Sequence, residues 1–217
     1  GLSEEDIGKL IIENNIVCPK CGGEFGEPGQ FNLMFKTYVG AKENEENIAY
    51  LRPETAQLIF TDFKVVHDTN RVKLPFGIAQ IGKAFRNEIS PRDFLFRTRE
   101  FEQMEIEYFI HPDSEKCLYL NEEDMDFKFN IWTAKAQEDN KEQENMSVKQ
   151  MLDIGLLSEW HVYWLKENYQ WFLDLEVNPD KLRLREHLKD ELAHYSSACF
   201  DIEYKFPFGW KEIHGNA

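Results

Sequence analysis

The chain has 217 residues, 42% of them hydrophobic and 14% aromatic, enough for a globular domain, or a domain with an insertion, around a substantial core. Its formal net charge of −15 excludes a nonspecific nucleic-acid binder working by bulk attraction, so any RNA contact must be local. No run of about 18 apolar residues and no signal-peptide pattern occurs, which argues against membrane insertion. Four cysteines, only two of them close together, make no disulfide framework and favour a reducing cytoplasm.

The opening segment, through Val17, carries Ile7, Leu10 and Ile11 behind acidic residues. It predicts a short helix from near Ser3, with Ser3 and Asp6 as a capping box. Beginning in a helix without an initiating Met, the chain reads as a piece of a longer protein. Cys18-Pro19-Lys20-Cys21-Gly22-Gly23 is a Cys-x-x-Cys-Gly knuckle of the zinc-ribbon kind. A closed structural site needs four ligands, and only Cys18 and Cys21 are near each other. The knuckle is either half of a zinc site completed upstream of Gly1 or a remnant without metal. Cys117 and Cys199 each stand alone and read as buried apolar cysteines.

Residues 26–40 read as a turn leading into a strand, and residues 41–47 as a charged loop. Next comes a helical pattern in which Leu58, Ile59, Phe63 and Val66 face inward. Pro53 suits its first turn, where a missing NH costs nothing. Glu54 would complement the positive end of the helix as a plain capping charge. A carboxylate at a strand-to-helix junction is also placed to receive a ligand ammonium.

Residues 82–105 read as a β-hairpin with a binding face. Gly82, Ala84, Arg86 and Glu88 share one side of the first strand. In the second strand Phe101, Gln103, Glu105, Glu107 and Phe109 oppose an apolar row of Met104, Ile106, Tyr108 and Ile110, which is predicted to be the core side. Between Lys83 and Arg99 the charge reverses: Lys83, Arg86, Arg92, Arg97 and Arg99 meet only Glu88 and Asp93, a place for a polyphosphate. An arginine there can grip phosphate through its planar fork, an aromatic ring can stack on a base, and carboxylates can accept from amino groups. An ordinary amphipathic hairpin with salt bridges on its wet face would show the same alternation. The joint spacing is more specific: Phe-Arg-x-Glu, eight loop residues, then Arg-x-x-x-Phe-x-x-x-Glu. That pattern resembles motif 2 of the class II aminoacyl-tRNA synthetases.

From His111 to Gln150 the chain is polar and acidic and reads as a solvated insertion. Ser158 to Leu175 predicts a long helix whose Trp160, Tyr163, Trp164, Trp171 and Phe172 are a core stripe rather than an RNA platform. Asn178-Pro179 closes it. Leu182 to Tyr195 predicts another helical stretch, whose Arg183, Arg185, His187 and His194 face tRNA, ATP or solvent. A strand over residues 201–206, a turn, and a second strand from Trp210 end the chain.

Asn32-Leu33-Met34-Phe35-Lys36-Thr37, Tyr50 to Gln57, Ile81 to Arg92 and Arg99-Glu100-Phe101 resemble the homodimeric type of glycyl-tRNA synthetase. So do Leu182 to His187 and Phe208 to Gly215. The resemblance implies an α+β fold, an antiparallel sheet flanked by helices, with a helical insertion. Arg86 would hold the α-phosphate of ATP and the carbonyl side of the amino acid, beside Asn87, and Glu88 would read the adenine amino group. Arg97 would reach the outer phosphates beside Phe96 and Thr98, and Phe101 would stack on adenine. Arg86 and Arg97 would be the catalytic cations. Glu54 and Glu105 would grip the glycine ammonium, with Phe101 and Gln103 nearby. Glu212 and Ile213 would touch ATP, with Glu212 meeting magnesium.

The implied layout is a helix and knuckle over residues 1–30, catalytic core over 31–111, an acidic and helical insertion over 112–200, and return strands of the core over 201–217. In the family motif 1 precedes such a stretch, while motif 3 and an anticodon-binding domain follow, so this fragment is expected to be inactive alone. The implied partners are glycine, ATP and tRNA, in a cytoplasmic homodimer. The rivals are a synthetase-like accessory subunit without catalysis, and an adenylating ligase for another small acid.

Overall fold

A computed structural model describes residues 2–29, 31–92, 95–114 and 116–217. Gly1, Gln30 and the loop acid Asp93 lie outside them. The chain forms two compact units, Gly1–Ile110 and His111–Ala217.

In the first unit Ser3 caps helix α1 (Glu4–Glu13), and its reciprocal bonds with Asp6 complete the expected capping box. Strands β1 (Phe35–Tyr38) and β2 (Ile48–Leu51) pair antiparallel, Phe35 opposite Leu51. Helix α2 (Ala56–Asn70) begins only after Thr55, so Pro53 and Glu54 precede it instead of forming its first turn. The carbonyls a longer helix would use are taken: Arg52 O accepts from Phe85 NH at 2.9 Å and Pro53 O from Arg86 Nε at 3.2 Å.

Strands β3 (Phe76–Phe85) and β4 (Glu100–Phe109) form the expected hairpin, with Gln80 opposite Glu105, Gly82 opposite Gln103 and Ala84 opposite Phe101. Helix α2 packs on this face through Phe63, whose ring lies 5.6 Å from Phe76 and 4.5 Å from Phe109. Ile59 is buried, but Leu58, one residue round the helix, is exposed. The expected core side of the hairpin is the exposed one. Met104 and Ile106 are 64% and 57% exposed, and Ile81, opposite Met104, is 73% exposed. Alternation separates two faces but does not say which is covered. Here Ala84, fully buried, marks the covered face, the one that carries the polar residues.

The second unit is built on a five-stranded sheet in the order β6-β5-β7-β8-β9. Its elements are β5 (Lys128–Trp132), α3 (Ala134–Glu138), β6 (Glu144–Ser147), α4 (Val148–Asp153), α5 (Glu159–Asp174), β7 (Leu182–Glu186), β8 (Phe200–Phe206) and β9 (Gly209–Asn216). Neighbours run antiparallel except β5 and β7, which are parallel and joined through the helices. Phe129, Ile131, Leu182, Leu184, Phe200 and Ile202 bury one sheet face against Val162, Leu165 and Tyr169 of α5. Trp160 is buried as expected, while Trp171 is 49% exposed.

The helix expected from Leu182 is strand β7. Leu-Arg-Leu-Arg alternates with period two, its leucines in the core and Arg183 and Arg185 on the other face. Strands β8 and β9 extend the sheet that β5, β6 and β7 begin. Among the described residues no helix is long and apolar enough to cross a membrane.

Candidate functional site

The polar face of the β3/β4 hairpin is crossed by the short segment from Arg52 to Thr55. Arg52 Nε donates to Lys83 O at 2.7 Å, so the segment is pinned to β3 at Arg52 and, through Pro53, to Arg86 just beyond the strand. The Arg52 guanidinium fills space that Gly82 leaves: a Cβ there would lie 2.5 Å from Nη2. Thr55, fully buried, gives its NH (2.7 Å) and its hydroxyl to Glu105 Oε2, and its Oγ1 accepts from Gln103 Nε2 at 3.4 Å. Glu54 accepts from Gln57, in the first turn of α2.

Arg86 and Phe101 meet as the spacing predicts, the guanidinium 5.2 Å from the ring centroid. Arg86 NH bonds Arg99 O at 3.0 Å, continuing the ladder beyond β3. Asn87 turns away from the pocket: its NH donates to Leu33 O and its side chain to Asn32 O, tying the hairpin to the segment before β1. The loop is closed by reciprocal bonds between Arg92 and Arg97, at 3.1 and 3.2 Å. Arg97 Nη1 lies 3.5 Å from Glu88 Oε2, so these two predicted ligand-binding groups answer each other. Such a half-exposed pair is worth about 0–1 kcal/mol, weak enough for a ligand to part. Thr98 Oγ1 bonds Glu100 O, and Phe96 is 39% exposed.

The pocket is electrically polarised. Arg86 stands at the strand ends with Arg97 in the adjoining loop, and acids stand further along β4. Burial first, then the charges of Glu105 and Glu54, push the Glu107 carboxyl above the usual carboxylate range. Glu107 and Arg52 belong to the site although neither was singled out as a ligand group. The Glu105, Glu107 alternation could have flagged the first; nothing in sequence linked Arg52 to Gly82. One end of the pocket can hold phosphate, the other an ammonium, with Phe101 beside the cation.

Glu212 and Ile213 belong to the second unit. There the register changes between Ile202 and Glu203, so that Ile202 faces His214 while Glu203 faces Glu212. Ile213 is the extra residue and packs against the core. The bulge puts Glu212 and Gly215 on the same, polar face as Asp201 and Glu203. Glu212 Oε1 sits 3.2 Å from where a Gly215 Cβ would stand.

The cysteine knuckle has the shape of a metal half-site. Cys18 NH bonds Gly23 O and Gly22 NH bonds Cys18 O, both at 2.8 Å, with Gly22 at φ 70°. The Lys20 NH first, then the Cys21 NH and thiol, hold the Cys18 thiol below its ordinary value. Among the described residues no third ligand joins this pair; the one group of three that could hold an ion is His187, Cys199 and Asp201. Cys117 is buried as expected, but Cys199 is not apolar in setting: burial first, then Asp201 and Glu212, push its thiol up to about 11.

Residues 35–159 match the family model described as "tRNA synthetase class II core domain (G, H, P, S and T)". The chain is 46% identical over 218 aligned residues to a "Glycine--tRNA ligase" of Geobacillus thermodenitrificans, and equally to one of Geobacillus kaustophilus. A protein of the same description from Acetivibrio thermocellus is 44% identical. Each alignment covers the whole of this chain and 38% of the relative.

Proposed function

The chain belongs to the class II tRNA synthetase core-domain family (G, H, P, S and T), and we propose that it is the central part of a glycine–tRNA ligase catalytic domain. The observation that carries this reading is the convergence of Arg86, Phe101, Glu54 and Glu105 around one segment, Arg52 to Thr55. The chain spans 38% of the length of the relatives it matches, so the reaction belongs to the longer protein. In the proposed layout residues 1–30 form a helix and knuckle and 31–111 the catalytic core; the residues expected as an insertion (112–200) and as returning strands (201–217) share one five-stranded sheet in the second unit.

A glycine carboxylate oxygen attacks the α-phosphorus of ATP in line; the bond to pyrophosphate breaks and glycyl-adenylate forms. A ribose hydroxyl at the 3′ end of tRNA then takes the glycyl group and releases AMP. No protein nucleophile is required. Arg86 neutralises charge on the transferring phosphate and Arg97, released from Glu88, reaches the outer phosphates. Glu88 accepts from the adenine amino group, and Asn87 braces the strand end. Phe101 stacks on the base, with Phe96 and Thr98 on the loop beside it. Glu54 and Glu105 hold the ammonium, with Gln103 fixing Thr55 beneath them. Glycine offers nothing to recognise beyond its charged groups, so a pocket crowded by Glu54, Thr55 and Glu105 selects it by excluding a Cβ.

Glu212, its carboxylate in the space beside Gly215, fits as an oxygen ligand for magnesium. Magnesium, when bound, would neutralise phosphate charge. Cys18 and Cys21, with NH groups aimed at sulfur, fit half of a structural zinc site. The longer protein would act as a homodimer in the cytoplasm, with glycine, ATP and tRNA as its substrates.

Amino-acid-dependent exchange of pyrophosphate into ATP by the full-length protein tests the reading. Exchange with glycine alone supports it. Exchange only with another small acid points to a different adenylating ligase, and no exchange with any acid to a non-catalytic accessory subunit; either result overturns it.

A further inference from the structure

The polar face of the second unit's sheet holds a group that the reaction above does not use. His187 follows β7, Cys199 precedes β8, and Asp201 lies on β8. The pairing of Glu186 with Phe200 and the His187 NH bond to Cys199 O at 2.9 Å fix the two strand ends side by side. Residues 199 and 201 point to one face of β8, the face that Arg185 opposite Asp201 also shares. One ligand atom from each of His187, Cys199 and Asp201 lies within 4.8 Å of the other two. Ligand atoms around a tetrahedral zinc ion, bonded at about 2.0 to 2.3 Å, stand roughly 3 to 4 Å apart. Small side-chain rotations close that gap.

We propose that His187, Cys199 and Asp201 form a binding site for a zinc-class divalent cation, with the fourth coordination position left open to water. The donors are one imidazole, one thiol and one carboxylate, a set that suits zinc or cobalt and not the all-oxygen preference of magnesium. Asp201 is buried, 6% exposed, with His187 and Arg185 beside its carboxyl group. Arg185, which Glu191 holds with two bonds of 2.7 and 2.8 Å, also pairs with Asp201 at 3.7 Å. His187 Nε2, now 2.8 Å from Asp201 Oδ2, exchanges that hydrogen bond for a metal bond. Gly215, opposite Asp201 on β9, adds no side chain of its own, and the Glu212 carboxylate lies in the space beside it. None of the three ligands belongs to the hairpin pocket, although Glu212 shares their face of the sheet.

Cobalt(II) titration of the chain tests this. The background carries Cys18→Ser and Cys21→Ser, so the knuckle cannot supply sulfur. The expected result is one cobalt per chain with a thiolate-to-cobalt charge-transfer band, displaced by zinc and undiminished by excess magnesium. Cys199→Ser abolishes the band, and His187→Gln weakens cobalt binding at least about tenfold, with both variants melting as the background does. Absence of the band in the background, or its survival in Cys199→Ser, overturns the site; the first holds even if a variant fails to fold.

Discussion

Thr55 gives both its backbone NH and its hydroxyl to a single oxygen of Glu105, fifty residues later in the chain. A residue at a helix N-cap would ordinarily turn its hydroxyl back to its own helix; here it makes no such bond. One carboxylate oxygen is thereby fixed and the other left for a ligand. Thr55→Val removes a hydrogen bond to a charged group, worth about 1.5 to 3 kcal/mol. The glycine KM of the full-length protein should rise roughly 10- to 100-fold, with the ATP KM unchanged and Thr55→Ser close to wild type. Pyrophosphate exchange at varied glycine measures this; an equal rise in both constants would mean a merely structural threonine.

Glu107 gives the pocket a pH signature. Its raised pKa means that the folded chain holds this proton more tightly than the unfolded chain. Its contribution to stability is full below the ordinary glutamate value of about 4.3 and is lost as pH rises through the raised folded value. Glu107→Gln should therefore be less destabilised than wild type on going from acid to neutral pH. Urea unfolding across that range checks it, and parallel pH profiles would contradict it.

Gly82→Ala should displace Arg52, because the new Cβ would stand 2.5 Å from Nη2 while Nε is held by Lys83 O. The expected loss is about 1 to 3 kcal/mol of stability. On an Arg52→Ala background the same substitution should cost markedly less. A double-mutant cycle by thermal unfolding reads the coupling; full additivity would refute the contact.

In the second unit Arg183 lies between Trp132 and Trp210, 4.4 and 4.3 Å from their rings, and bonds Glu203 at 2.6 Å. Both charged residues are under one-tenth exposed. Glu203→Gln removes the counter-charge of this buried cation, leaving it Gln143 and the two indole faces, and should cost about 3 to 5 kcal/mol. Replacing both partners, Arg183→Met with Glu203→Leu, should cost much less. Urea midpoints of the three variants decide it.

Strict spacing made the hairpin, its polar face and the Arg86 and Phe101 contact legible in sequence, because a period of two fixes which side chains meet. The same period left two things open. It could not say which face of the hairpin is covered, so Met104 and Ile106 were put in the core although they are exposed. It also competed with a helical reading of Leu182 to Tyr195, where only strand pairing decides. Contacts between distant residues left almost no local trace. Arg52 with Gly82, Thr55 with Glu105, and Cys199 with His187 depend on pairing between elements, and the β9 bulge that turns Glu212 outward carries no sequence signal of its own.

In the proposed reaction the carboxylate held by Thr55 binds the ammonium of glycine. The most direct measurement of this is glycine affinity of the full-length protein carrying Glu105→Gln, a change that keeps the Thr55 bonds and removes the charge. Glycine binding should weaken at least about tenfold, as loss of a charged hydrogen-bond partner implies, while ATP binding holds. Unchanged glycine affinity would remove Glu105 from the glycine site.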